Sequence, residues 1–200
     1  MEWTVLLRSI LILFAIVNPI GSIPIFLELT NHITPKQRSD AFRIAIITSL
    51  SILFIFVITG KGILTDFFQI NMSDLMAAGG LLLIIIAIDH LVFGGLVKGV
   101  LNSSEQDAHH IGAVPIACPI LAGPGAMMSV LVISSEHGLD VAVISIIVVF
   151  ALTWLMLRFI DKIYQVLGKV VCMVISKILC LFIAAIGIHL LMQGLLVYFK

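Results

Sequence analysis

Two proline and glycine clusters hold the residues best suited to ligand chemistry. The first is NPIGSIP, residues 18–24, and the second is CPILAGPGA, residues 118–126. Each sits inside a run of apolar residues. A proline at position i removes a backbone donor and clashes with the carbonyl of i−4. In a helical reading, Pro19 therefore releases the carbonyl of Ala15 and Pro24 that of Ile20. Pro119 and Pro124 release those of Pro115 and Ile120. Gly21, Gly123 and Gly125 open backbone conformations closed to other residues and let a ligand approach closely. A helix that restarts after such a break presents free N–H groups and a partial positive charge. A helix that ends there presents free carbonyls. Such a pair suits a small zwitterion, with its carboxylate at the N–H groups and its ammonium at the carbonyls. Asn18 and Ser22 add side-chain hydrogen bonds, and Ala122 and Ala126 keep the space narrow. The substrate-binding candidates are thus Asn18, Pro19, Gly21, Ser22, Pro24, Ala122, Gly123, Pro124, Gly125 and Ala126. The plain alternative is a pair of kinks whose freed groups are re-satisfied by neighbouring helices.

A second chemistry is proton movement. Asp89 and His189 lie in apolar surroundings at equivalent positions one hundred residues apart. An ionisable group inside a membrane is a functional candidate, and Asp and His can relay protons. The competing reading places both near the ends of their spans, reaching the interface. The stretch SSEQDAHH, residues 103–110, is read as a solvated loop, since its spacing matches no metal motif. Cys118, Cys172 and Cys180 read as small buried apolar residues. The sequence holds no nucleophile elbow, P-loop or HExxH and no supported carboxylate pair. The expectation is a protein that is not an enzyme and carries no cofactor or metal.

The elements that position these residues follow from composition. The 200-residue chain is 61% hydrophobic and 11% charged, with mean hydropathy +1.24. A soluble domain carries about 25% charged residues, so this chain lacks the polar surface to cover a globule in water. Six apolar runs are long enough to cross a bilayer, at about 4–28, 41–59, 74–96, 111–134, 139–159 and 174–198. They lack the alternation of a barrel strand, so they read as helices joined by short loops. The first is read as uncleaved, since no small-residue cleavage site follows a short apolar core. Trp3, Trp154, Tyr164 and Tyr198 read as interfacial anchors. With six spans, eight of the eleven Lys and Arg residues fall on the side of the first, third and fifth loops. The positive-inside rule makes that side cytoplasmic and puts both termini outside. The zero formal charge points to no nucleic acid partner.

The two halves repeat. FAIVNPIGSIP (14–24) aligns with VPIACPILAGP (114–124), sharing Ile16, Pro19, Ile20 and Pro24 with Ile116, Pro119, Ile120 and Pro124. GGLLLIIIAIDHLVFGGL (79–96) aligns with LCLFIAAIGIHLLMQGLL (179–196) at the same offset. Three spans per half is an odd number, so the second half enters the membrane inverted, as in many secondary transporters. The predicted fold is all-α: six transmembrane helices as two inverted three-helix repeats, with helices 1 and 4 broken at the Pro/Gly motifs. It forms a single transmembrane domain, with repeat 1 at about 4–96, a cytoplasmic loop at about 97–110 and repeat 2 at about 111–198.

At NPIGSIP and PIACPILAGPGA the sequence resembles the MarC family of bacterial inner-membrane proteins, and the resemblance covers nearly the whole chain. That family includes small neutral amino-acid transporters of the SnatA type. The resemblance implies discontinuous first and fourth spans meeting at a central site, glycine- or alanine-like substrates and proton coupling. It carries over to Asn18, Pro19, Gly21, Pro24, Ala122, Gly123, Pro124 and Gly125; Asp89 and His189 remain candidates for the proton on their own setting, not on the resemblance. The implied role is secondary transport of small neutral amino acids by alternating access across the inner membrane. The rival readings are an exporter of other small metabolites or drugs, and a non-transporting structural or assembly factor. The expected partners are the substrate, protons and the lipid bilayer, with a homo-oligomer left open.

Overall fold

The computed structural model describes residues 3–23, 26–27, 30, 33–63, 67, 69–92 and 121–197. Among them all regular structure is helical, as the apolar runs require. The principal helices are α1 (Trp3–Val17), α2 (Pro35–Gly62), α3 (Met72–Val92), α4 (Pro124–His137), α5 (Leu139–Arg158) and α6 (Ile160–Leu196). Pro24, Cys118, Pro119, Tyr198 and the expected loop at about 97–110 lie outside the described residues.

Among the described residues, four helical segments are long and apolar enough to span a membrane: Pro35–Gly60, Met72–Asp89, Leu139–Arg158 and Val170–Leu196. The other two helices are short. α1 has 15 residues and α4 has 14, so each rises only about 22 Å against a hydrocarbon core of ~30 Å. These are the two helices that abut the Pro/Gly motifs. α1 stops directly before Asn18, and α4 starts at Pro124.

Two boundaries differ from the hydropathy reading. α2 begins at Pro35, not near residue 41, because Thr34 and Gln37 form a capping box. Thr34 N donates to Gln37 Oε1 at 2.9 Å, and Gln37 N donates to Thr34 Oγ1 at 3.3 Å. These bonds satisfy end donors that would otherwise be orphaned. The connection expected between spans five and six is helical instead of a loop. Only Phe159 separates α5 from α6. Ile160, Ile163, Tyr164 and Leu167 recur at helical spacing and pack on the main core, which makes this polar-looking stretch amphipathic. α6 then bends at Gly168, whose φ of 70° and ψ of 168° break the helix.

The main core joins α1, α2, α4 and α5 through side chains such as Leu13, Phe26, Leu53, Val130, Ile146 and Phe150. α3 and α6 form a second layer and run antiparallel along each other. Gly80 lies against the backbone of Gly187 and Leu191, and Gly194 lies against Ser73 and Ala77. Absent side chains let the two backbones approach in this way, as in other membrane helix pairs. The outer faces carry Ile47, Ile55, Ile58, Leu81, Ile85, Ile88, Phe182 and Ile188, all exposed. An apolar exterior of that extent belongs against lipid. Lipid is as apolar as these side chains, so the helices hold together by close packing and buried hydrogen bonds, not by exclusion of water.

Candidate functional site

α1 ends because Asn18 adopts a left-handed conformation, φ 47°. A non-glycine residue rarely does so, although Asn tolerates it better than most. The Asn18 N–H still donates to the Phe14 carbonyl at 2.9 Å, closing α1. Its side chain opens the next turn, with Oδ1 accepting from Gly21 N at 3.1 Å. Its carbonyl accepts twice, from Ser22 N at 3.1 Å and from Ser22 Oγ at 3.0 Å. The path then continues helically, with Phe26 N donating to the Ser22 carbonyl and Thr30 N to the Phe26 carbonyl. The expected free carbonyl at Ile20 is occupied, since it accepts from Ile23 N at 3.2 Å. Asn18, Pro19 and Ser22 are buried.

Asn18 also reaches another helix. Its Nδ2 donates to Ser176 Oγ on α6 at 3.4 Å. Gly21 is confined between the two, since a Cβ added there would collide with Ser176 Oγ and stand 2.6 Å from the Asn18 side-chain atoms. The outcome is a polar chain, Gly21–Asn18–Ser176, running from the break in the first span into α6. Ser176 was not among the sequence candidates. It is a lone serine in VISKILC, and neither periodicity nor the repeat marks it. Asn18 keeps one amide hydrogen, and Ser22 keeps acceptor capacity on its oxygen.

The second motif meets the first end to start. Gly123 is the N-cap of α4, with φ −63° and ψ 169°, and no side chain caps that end. The Gly123 carbonyl accepts from Met127 N at 3.1 Å. A Cβ at Gly125 would stand 2.6 Å from Leu83 Cδ2 and 3.4 Å from Ile16 Cγ2, so the start of α4 lies directly on the last turn of α1. Ala122 and Ala126 belong to the same buried cluster as Val17, Ile23 and Phe26. The carbonyl end of one helix and the N–H end of another thus converge, bringing opposite partial charges together. The structure therefore groups Ala122, Gly123, Gly125 and Ala126 with the end of α1. The Asn18 side chain turns instead toward α6.

Residues 3–199 match the profile of the MarC family of integral membrane proteins. The chain belongs to the MarC family. It is 34% identical to a UPF0056 membrane protein of Buchnera aphidicola subsp. Schizaphis graminum, over 97% of this chain and 93% of that protein. It is 33% identical to a UPF0056 membrane protein of Archaeoglobus fulgidus, over 92% and 88%. To the UPF0056 membrane protein YhcE of Escherichia coli it is 34% identical, also over 92% and 88%. No solved structure matches the chain. The resemblance read from the two motifs is borne out, and the chain is a multi-pass membrane protein.

In this MarC family chain the two ionisable candidates have different surroundings. Asp89 is half-buried near the end of α3, and its buried Oδ2 has no hydrogen-bond partner among the described residues. His189 is exposed on α6. The antiparallel register sets Gly80 opposite Gly187 and Leu191. Asp89, nine residues past Gly80, is then level with Cys180, and His189 is level with Gly80. The repeat-equivalent residues stand about 13 Å apart along the helix axes, so the structure does not bring them together. Asp89 lies nearer the level of the Asn18–Ser176 contact.

Proposed function

We propose that this MarC family protein is a secondary transporter of small neutral amino acids, built as two inverted three-span repeats that alternate access to a site between the two helix breaks. The observation that carries the reading is the meeting of α1's carbonyl end with α4's uncapped N–H end. The helix pairs lend support. Each pair related by the sequence repeat packs together: α1 with α4, α2 with α5, and α3 with α6. Members of the third pair run antiparallel and those of the first meet end to start, as inversion requires. The small residues Ala122 and Ala126 favour a glycine- or alanine-sized substrate. The unpartnered Asp89 oxygen favours a proton as the coupling ion. In this reading the protein sits in the inner membrane, with both termini outside and no catalytic chemistry.

Saturable, gradient-driven uptake of labelled glycine or alanine into proteoliposomes is the expected result. Gly125→Leu should abolish it, because even a Cβ there would stand 2.6 Å from Leu83 Cδ2 and force the start of α4 away from the end of α1. Asp89→Asn should remove accumulation driven by a proton gradient while leaving substrate exchange. Absence of saturable flux under every imposed gradient would sink the proposal.

One observation favours a second reading, that of a non-transporting structural factor. The Asn18 carboxamide is already bonded to Gly21 and Ser176. A kink so satisfied serves packing as well as binding. That reading expects Gly125→Leu to lower stability and to change no flux.

A further inference from the structure

A cavity of about 380 Å³ opens at the end of the bundle where α2 begins and α5 passes into α6. Arg38, Arg43 and Arg158 line it against a single carboxylate, Asp161, with Phe42 and Trp154 as apolar walls. Arg38 is committed on one edge, where Nη1 donates to Asp161 Oδ1 at 2.8 Å and Nη2 to the Thr30 carbonyl at 3.3 Å. Its Nε is buried with no partner among the described residues. The Arg158 guanidinium lies 5.4 Å from the centre of the Trp154 ring. Neither Arg43 nor Arg158 takes part in an ion pair among the described residues. Three cations face one anion, so the cavity carries an excess of two positive charges.

Its height in the membrane says what neutralises that excess. Arg43 directly precedes the apolar run 44–58, and Arg158 directly follows the apolar run 141–157. Both guanidinium groups therefore stand where hydrocarbon gives way to headgroups, and Trp154 is the residue type enriched at that level. Guanidinium forks match phosphate oxygens bidentately. Basic pockets between transmembrane helices are known to hold phosphate-bearing headgroups. We infer that this cavity binds the phosphodiester headgroup of an anionic phospholipid, with Arg43 and Arg158 on the phosphate and the lipid stem against Phe42 and Trp154. The phosphate ties α2 to the α5–α6 junction, beside the Arg38–Asp161 ion pair. The inference does not depend on the transport reading.

The test uses the full chain in neutral detergent, read by native mass spectrometry and by thermal melting. Phosphatidylglycerol, phosphatidylcholine and inorganic phosphate are the probes. Phosphatidylglycerol should form discrete adducts and raise the melting temperature, and the other two should do neither. The double variant Arg43→Gln, Arg158→Gln should bind phosphatidylglycerol roughly tenfold more weakly or worse. Both side chains are exposed, so the core stays intact. Arg43→Lys with Arg158→Lys, which keeps charge but loses the fork, should fall between. Lys177→Gln, an exposed cation elsewhere on α6, should bind as the parent does. Equal binding of the two lipids, or double-variant affinity within about twofold of the parent, would overturn the inference. Stabilisation by inorganic phosphate alone, equal to that by phosphatidylglycerol, would assign the cavity to a soluble anion and overturn the lipid assignment.

Discussion

Asn18 ends one helix, starts the next turn and reaches across to Ser176. Its two contributions can be separated by substitution. Asn18→Gly keeps the left-handed conformation and loses both side-chain bonds. Asn18→Ala loses the bonds and also strains the backbone at φ 47°, adding about 1 kcal/mol to a cap loss of about 1 kcal/mol. Thermal melting in detergent should rank the parent above the glycine variant, and that above the alanine variant. An alanine variant more stable than the glycine one would refute the conformational argument. Ser176→Ala should cost less, about 0.6 kcal/mol, the usual yield of a hydrogen bond between membrane helices. The sequence made Asn18 visible, because a polar residue before proline in an apolar run has few ordinary uses. It could not reveal Ser176, whose role rests on a contact 158 residues away along the chain.

α3 and α6 succeed as a pair because glycine sits at their crossing. A Cβ at Gly187 would lie 2.8 Å from the Gly80 carbonyl oxygen and 3.0 Å from Ile84 Cγ1. Neither the backbone nor a β-branched side chain yields easily, so Gly187→Ala should destabilise the protein by about 1–3 kcal/mol, the usual cost of overpacking. Denaturant titration of the purified protein reads this directly. An unchanged midpoint would mean that the helices slide apart freely. At this scale hydropathy located the four segments that are long enough to span and misjudged their ends. The polar first turns of α2, PKQRSD, fall below any apolar window, yet the capping box TPKQ marks the start to a reader of caps. The early part of α6 was missed because its apolar residues occupy one face only.

The whole molecule divides into a core of α1, α2, α4 and α5 and an outer layer of α3 and α6. The charge bias of the loops, together with the even number of spans, fixes the proposed orientation. Fusing reporters to the C-terminus tests it. Alkaline phosphatase, active only outside the cytoplasm, should be active, and green fluorescent protein should stay dark. The opposite pattern would reverse the topology and place the cavity of Arg43 and Arg158 on the outer leaflet. Family membership was legible in the sequence, since the two motifs are short, specific and far apart. The convergence of α1's end with α4's start was only inferable from them, because neighbours in space are set by packing that no local pattern encodes.

The shortness of α1 bears on how the protein is made. Fifteen residues rise about 22 Å against ~30 Å of hydrocarbon, so the first segment crosses only with the turns that follow its break. Its polar break is closed locally by Asn18 and Ser22, but the Asn18 amide gains its partner on Ser176 only when α6 has been synthesised. The packing of the break is therefore completed late, since the residue that holds Asn18 from across the bundle is made 158 residues after it.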